Sequence, residues 1–294
     1  MTEENTNLHN TEPTPERLVE QARAGDLAAL ETLLGQVQPR LYNLALRMLW
    51  HPADAEDATQ EILIRITTHL GQFRQESSIE TWCYRIATNH LLTTRKRRAE
   101  LQKRTFEMFD ADLEQKLDRP PVELQPDDPA QRLMLEETEL RCTLGMLLCL
   151  DREHRVAYIL GEIIGVSGED GAFITETTPQ VYRKRLSRAR ERVRGFMNGH
   201  CGLANPANPC RCHRQLGYKL ANENFYPESF LFAGKPELNA EVVTRYRDEL
   251  QALDKVVGLY RRQPEYAAPA ALLQNLKRLF SSGQFDWPGA NPNN

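Results

Sequence analysis

One segment, Thr177 to Phe196, restricts this chain more than any other. Tyr182, Leu186, Ala189, Val193 and Phe196 recur at three- and four-residue steps, so a helix here has one apolar face. Thr178 can accept a hydrogen bond from a first-turn N–H. Pro179 suits the first helical position, where its missing N–H is not needed. The rest is cationic: Arg183, Lys184, Arg185, Arg188, Arg190, Arg192 and Arg194 stand against Glu191 alone. A helix that buries one face and offers phosphate-binding charge on the other suits a nucleic-acid groove. The plain alternative, a solvated basic surface helix, is decided only by context.

Net charge argues weakly against such a partner, being −4 over 294 residues. The average hides segregation. Arg95, Lys96, Arg97, Arg98, Lys103 and Arg104 cluster beside Glu100, and Thr105 to Leu140 then carries eleven acids against Lys116, Arg119 and Arg132. Local blocks of one sign set the field that a phosphate feels. No apolar run approaches the roughly 18 residues of a membrane span, so membrane insertion is not expected. Met1 to Pro15 has neither a basic nor an apolar signal region, which predicts a cytoplasmic protein. Its six cysteines are then expected to be reduced or metal-bound.

Helical periodicity runs along most of the chain, and an all-α fold is predicted. Residues 1–14 read as a disordered tail and 15–104 as a helical bundle. In the bundle, Leu18 to Val37, Leu41 to Leu49, Asp54 to Leu70 and Ile79 to Arg98 each carry an apolar stripe. Residues 105–131, with Pro120, Pro121, Pro126 and Pro129 among acids, read as a linker. Residues 132–197 form a second helical unit: Arg152 to Ile164, a break at Gly165 to Gly168, a short helix to Thr175, then the basic helix. That order is a helix-turn-helix. Residues 198–294 are an extension with amphipathic stretches at Glu241 to Tyr260 and Ala267 to Phe280.

Three blocks, Asp54 to Ile62, Phe73 to His90 and Arg185 to Arg190, stand in this order across about residues 15–197. Together they resemble the ECF-type (group IV) RNA polymerase sigma factors of the sigma-70 family. The resemblance implies a non-enzymatic transcription initiation factor that binds core RNA polymerase, recognises −35 and −10 promoter elements and promotes melting. It implies a polymerase-binding face at Asp57, Gln60, Glu61 and Arg65. It implies −10 contacts by Phe73, Glu76, Ser77, Ser78, Thr81, Tyr84, Arg85, Asn89 and His90, with Arg95, Arg97 and Arg98 on the melted strand. An amide-, carboxylate- and hydroxyl-bearing loop is suited to reading an extruded base, and cations hold single strands. Trp82, Ile86 and Cys83 are expected in the core. For the −35 element, Thr178, Gln180, Val181 and Lys184 are placed near base edges. Arg183, Arg185 and Arg188 are placed on phosphates or guanine. A separate anti-sigma factor is a further partner the resemblance allows.

Two departures stand out. The first helix of the motif holds Gly171, which should cost about 1 kcal/mol against alanine, and Glu176-Thr177 replaces the family's usual Gly-Ile turn. The extension opens with His200, Cys201, Cys210, Cys212 and His213 within fourteen residues. Such density of thiolates and imidazoles suits a tetrahedral zinc ion. A redox-sensitive thiol cluster and an inert Pro/Asn-rich turn are the alternatives; no cofactor is required by the sigma reading itself. A rival function is a stand-alone helix-turn-helix regulator with a Cys/His metal or redox sensor, but it leaves the first two blocks unexplained. A zinc nucleobase deaminase lacks the His-x-Glu partner.

Overall fold

The computed structural model describes residues 14–94, 104–117, 128–222, 225, 230–232, 255–261 and 265–281. The regular elements among these residues are helices, and the pairing of Cys201 with Cys210 is an isolated bridge, not part of a strand. No helix among them is long and apolar enough to cross a membrane.

Four helices make the first unit: α1 (Pro15–Arg23), α2 (Leu27–Leu49), α3 (Pro52–His69) and α4 (Ile79–Thr93). Each start is set locally. Thr14, Asp26 and Ser78 accept first-turn N–H groups, and Pro15 and Pro52 sit where no N–H is missed. α2 runs through Pro39, and Asn43 Nδ2 donates to the Pro39 carbonyl at 2.8 Å. Leu30, Leu33, Leu34, Leu41, Leu44, Ala58, Ile62 and Ile66 are nearly inaccessible to water. At about 25 cal/mol per Å² this burial is the main stabilising term of the bundle. α2 and α3 pack along their length, and α4 closes against both.

The acidic stretch contains more structure than a tether. Phe106–Leu117 forms α5, so residues 106–117 of the predicted linker are corrected to helix. Phe106, Phe109 and Leu113 are spaced to share a face. Phe106 and Phe109 lie 5.2 and 5.7 Å from Phe196, and Phe109 and Leu113 are buried. The density of acids and prolines masked that stripe. Residues 118–127 lie outside the described residues.

The second unit holds α6 (Pro129–Leu147) and α7 (Arg152–Tyr158), which widens into a π turn at Ile159–Ile164. Gly165, at φ +84°, ends it. α8 (Gly168–Ile174) and α9 (Pro179–His200) complete the helix-turn-helix where the sequence placed it. Beyond lie α10 (Cys212–Asn222), α11 (Lys255–Arg261) and α12 (Ala271–Ser281). The earlier part of the stretch predicted from Glu241 lies outside the described residues, as do the tail before Thr14 and the end after Ser281.

The two units share one continuous core. Buried Arg155, on α7, donates to Leu147, Leu150 and Met48 carbonyls. The C-terminal segment bridges both units. Asn43 on α2 is hydrogen-bonded to the backbone N–H and carbonyl of Tyr266, each at 2.9 Å. Arg261 Nε donates to the Glu162 carbonyl at 2.6 Å, and Lys277 pairs with Glu31 at 2.6 Å.

Candidate nucleic-acid interface

α3 buries Ala55, Ala58, Thr59, Ile62, Leu63 and Ile66. Asp57, Glu61 and Arg65 therefore point to solvent and Gln60 is half-buried. These four form one polar arc, as the sequence placed them. Glu61 also lies 3.6 Å from His90 Nε2 on α4.

The second block divides. Phe73, Tyr84 and His90 were expected to touch the −10 strand, and the structure corrects all three: they are 4%, 4% and 3% exposed. α4 turns Tyr84 toward Arg40 and Arg47 of α2 and His90 toward Glu61 of α3, while α8 meets the half-buried arc at Arg85. Phe73 packs on Trp82 at 5.4 Å. Burial and nearby Glu80 push the Tyr84 phenol above its ordinary value. Ser78 and Thr81 are spent on the start of α4. The Ser78 hydroxyl accepts the Thr81 N–H at 3.1 Å and donates to the Thr81 hydroxyl at 2.9 Å. Glu76 is exposed and Ser77 half-buried. Arg23 anchors this loop by donating to the Leu70, Gly71 and Phe73 carbonyls. Arg95, Arg97 and Arg98 lie outside the described residues.

Arg85 and Asn89 remain on the open arc of α4 and line a cleft of about 770 Å³. Its opposite wall belongs to the second unit. Glu176 Oε1 is 2.8 Å from Arg85 Nε and 2.7 Å from Nη2. The Phe173 ring lies 4.7 Å from the same guanidinium. Arg85 foremost, with help from the Asn89 side chain, holds the Glu176 carboxyl below its ordinary value. Glu176 has φ +51°, the left-handed region that glycine enters freely and that costs other residues about 1–2 kcal/mol. Sequence reasoning missed Glu176 and Phe173 as partners of α4. The signal was present, since an acid stands where the resemblance expects glycine.

The recognition helix is open. Thr178, Gln180, Val181, Arg183, Lys184 and Arg188 are exposed around the first turns of α9, although Thr178 also caps it by accepting the Val181 N–H. Arg185 is half-buried and paired with Glu153 at 2.6 Å. Arg190 pairs with buried Glu162, and Arg194 Nη2 lies 4.0 Å from it. Gly171 is explained by packing. A Cβ there would stand 2.1 Å from Tyr182 Cζ, and one on Gly161 would meet Leu186 at 2.6 Å. The missing side chains let the recognition helix dock closely.

The Cys/His loop is folded by hydrogen bonds to backbone carbonyls. Among the described residues no group of three or more His, Cys, Asp or Glu side chains is arranged to hold a metal. His200 stacks on Phe196 at 4.5 Å, with Nδ1 2.6 Å from Asp110 Oδ1. The loop closes on the end of α9: Asn205 and Asn208 donate to the Asn198 carbonyl, and Asn208 also to that of Cys201. Arg211 donates to the Pro206, Asn208 and Cys210 carbonyls. Cys201, Cys210, Cys212 and His213 are all half-buried within this knot. Burial raises the Cys210 and Cys212 thiols. Cys83, Cys142 and Cys149 also sit in apolar surroundings, and burial pushes Cys142 up to about 12 and Cys149 to about 11.

Residues 33–100 match the Sigma-70 region 2 family. The RNA polymerase sigma-H factor of Pseudomonas aeruginosa is 30% identical over 190 residues, covering 62% of this chain and 93% of that protein. The ECF RNA polymerase sigma-E factor of Escherichia coli K12 is 30% identical over 181 residues, 61% of this chain and 92% of the relative. SigE of Mycolicibacterium smegmatis is 31% identical over 180 residues, 60% of this chain and 65% of its own. The chain belongs to the ECF sigma factors of the sigma-70 family, which are transcription initiation factors.

Proposed function

We propose that this chain binds core RNA polymerase through the α3 arc of Asp57, Gln60, Glu61 and Arg65. It reads a −35 element with the first turns of α9 and a −10 element with Glu76, Arg85 and Asn89, and promotes melting. The observation that carries the reading is the joint exposure, on one chain of this family, of that polar arc and of the base-sized and cationic side chains opening α9. Thr178, Gln180, Val181 and Lys184 face base edges; Arg183 and Arg188 face phosphates. In this reading the protein catalyses no reaction and needs no metal. The Cys/His loop is a structural end-cap of α9.

Run-off transcription with purified core polymerase tests it. The full chain is expected to restore specific initiation. Charge reversal at Asp57 and Glu61 should abolish co-purification with core while helicity stays unchanged, because both side chains are exposed. Retained co-purification would reject the assigned face.

A further inference from the structure

Arg183, Arg190 and Arg194 stand seven and four residues apart, close to whole helical turns, so they share one row along α9. The structure splits that row. Arg183 is exposed, whereas Arg190 and Arg194 are half-buried and both turn to one acid. Glu162 Oε1 accepts from Arg190 Nε at 2.6 Å and pairs with its Nη2 as well, and Arg194 Nη2 is 4.0 Å from Oε2.

Glu162 is firmly placed. Its side chain is 6% exposed, a position an acid keeps only with partners. It belongs to the π turn of Ile159–Ile164, a rare widening that recurs at functional sites. The C-terminal segment holds that turn. Arg261 Nε donates to the Glu162 carbonyl at 2.6 Å, and the buried Tyr260 ring meets Tyr158 edge-on at 5.4 Å. Docking of α9 has its own basis, in the close approach of Tyr182 and Leu186 to Gly171 and Gly161. The arginine pairs are therefore available for another task.

We infer that Glu162 is a specificity-determining residue of the −35 reader: it holds Arg190 and Arg194 off the DNA backbone, so that α9 meets duplex through its first turns alone. Attraction to phosphates is blind to sequence and grows with the number of cations offered. With the first turns of α9 in the groove, the rest of the helix stands away from the bases. Released arginines would then favour duplex held in other registers. Arg261 is a positioning residue that acts through the π turn. The inference rests on the proposed reading of a −35 element by α9.

The test uses the full chain and two fluorescein-labelled duplexes, one selected by the parent from a random library and one scrambled from it. Glu162→Gln keeps the shape and removes the charge. It is expected to bind the scrambled duplex about fivefold more tightly, with a slope of log affinity against log salt steeper by about one, and to leave the selected duplex nearly unchanged. Arg261→Ala should shift the scrambled duplex in the same direction and less. Adding Arg190→Ala and Arg194→Ala to Glu162→Gln should restore the parent's preference, a recovery that a merely structural pair would not give. Arg190→Ala alone should leave both duplexes unchanged, and this arm decides if Glu162→Gln fails to fold. A flatter salt slope from Arg190→Ala alone, unchanged scrambled affinity in folded Glu162→Gln, or no recovery in the triple variant overturns the inference. If the parent selects no sequence from the library, the −35 assignment of α9 itself fails.

Discussion

α9 and α4 each carry nucleic-acid-facing residues, yet the structure treats them oppositely. α9 buries one stripe, Tyr182, Leu186, Ala189, Val193, Phe196 and Met197, so most of its polar arc stands in water. α4 is packed by α2 and α3 on one side and α8 on the other, and buries Cys83, Tyr84, Ala87, Thr88, His90 and Leu91. Only a narrow arc remains, and the second unit covers that. The number of faces an element buries decides how many of its polar residues are free to act. A helix whose neighbours all meet one face advertises its function; a helix approached on opposite arcs conceals it.

The largest expected effect tests how α9 is seated. Helix propensity says that Gly171→Ala should stabilise by about 1 kcal/mol. The packing says the reverse, because the new Cβ would stand 2.1 Å from the Tyr182 ring. Overpacking of this kind costs about 1–3 kcal/mol. We expect a net loss of about 2 kcal/mol in denaturant unfolding, with −35 duplex affinity falling as α9 shifts. A gain in stability would show that α9 does not need this close approach.

Next in size is the bridge across the two units. Asn43→Ala leaves the buried Tyr266 N–H and carbonyl without their side-chain partner. Each lost buried bond of this kind costs about 1–3 kcal/mol, and a loss near 2 kcal/mol is expected. Lys277→Ala breaks only an exposed pair to Glu31 and should stay within about 0.5 kcal/mol. Thermal unfolding of the two variants side by side measures the ratio. Equal effects would mean that the segment around Tyr266 does not hold the units together.

The same contrast explains what was legible in the sequence. The bundle, the helix-turn-helix and the exposed arcs of α3 and α9 follow from single stripes at helical spacing, because the neighbours of each helix share one face. Phe73, Tyr84 and His90 were misplaced because their partners, Trp82, Arg40 and Glu61, are set by tertiary packing that helical spacing alone does not reveal. α5 was hidden by the acids and prolines around Phe106, Phe109 and Leu113. The thiols and imidazoles of residues 200–213 suggested zinc by composition. Arg211 and Asn208, which fold the loop through backbone carbonyls, carry no such signature.

The contact between Arg85 and Glu176 adds a dependence on pH that α9 should lack. The folded Glu176 carboxyl is held below its ordinary value of 4.5 by Arg85 and Asn89. A depressed carboxylate contributes its stabilisation above the ordinary value and loses it as pH falls through the lowered one. The contact should therefore be constant through neutral and mildly acidic pH and weaken below the ordinary carboxyl value of 4.5. His69, Arg65, Arg74, Glu76 and His90 line the same cleft, so the readout is the difference in single-strand affinity between the parent and Glu176→Gln. That difference should shrink on acidification below 4.5. A constant difference would mean that the Glu176 carboxylate does not compete for Arg85.

The smallest effect separates residues within α9 itself. Arg188 is exposed, whereas Arg185 is paired with Glu153 at 2.6 Å. A free phosphate contact contributes about one unit to the slope of log affinity against log salt. Arg188→Ala should flatten that slope by about one and weaken all sequences alike. Arg185→Ala should flatten it less, because forming a phosphate contact first requires breaking the pair with Glu153. Lys184→Ala should instead alter base preference at the upstream element, since it stands with Gln180 near the start of the helix. Salt titrations on a duplex library report all three variants. A change in sequence preference from Arg188→Ala, with none from Lys184→Ala, would mean that α9 enters the groove rotated by one helical step, placing the exposed arc differently on the bases.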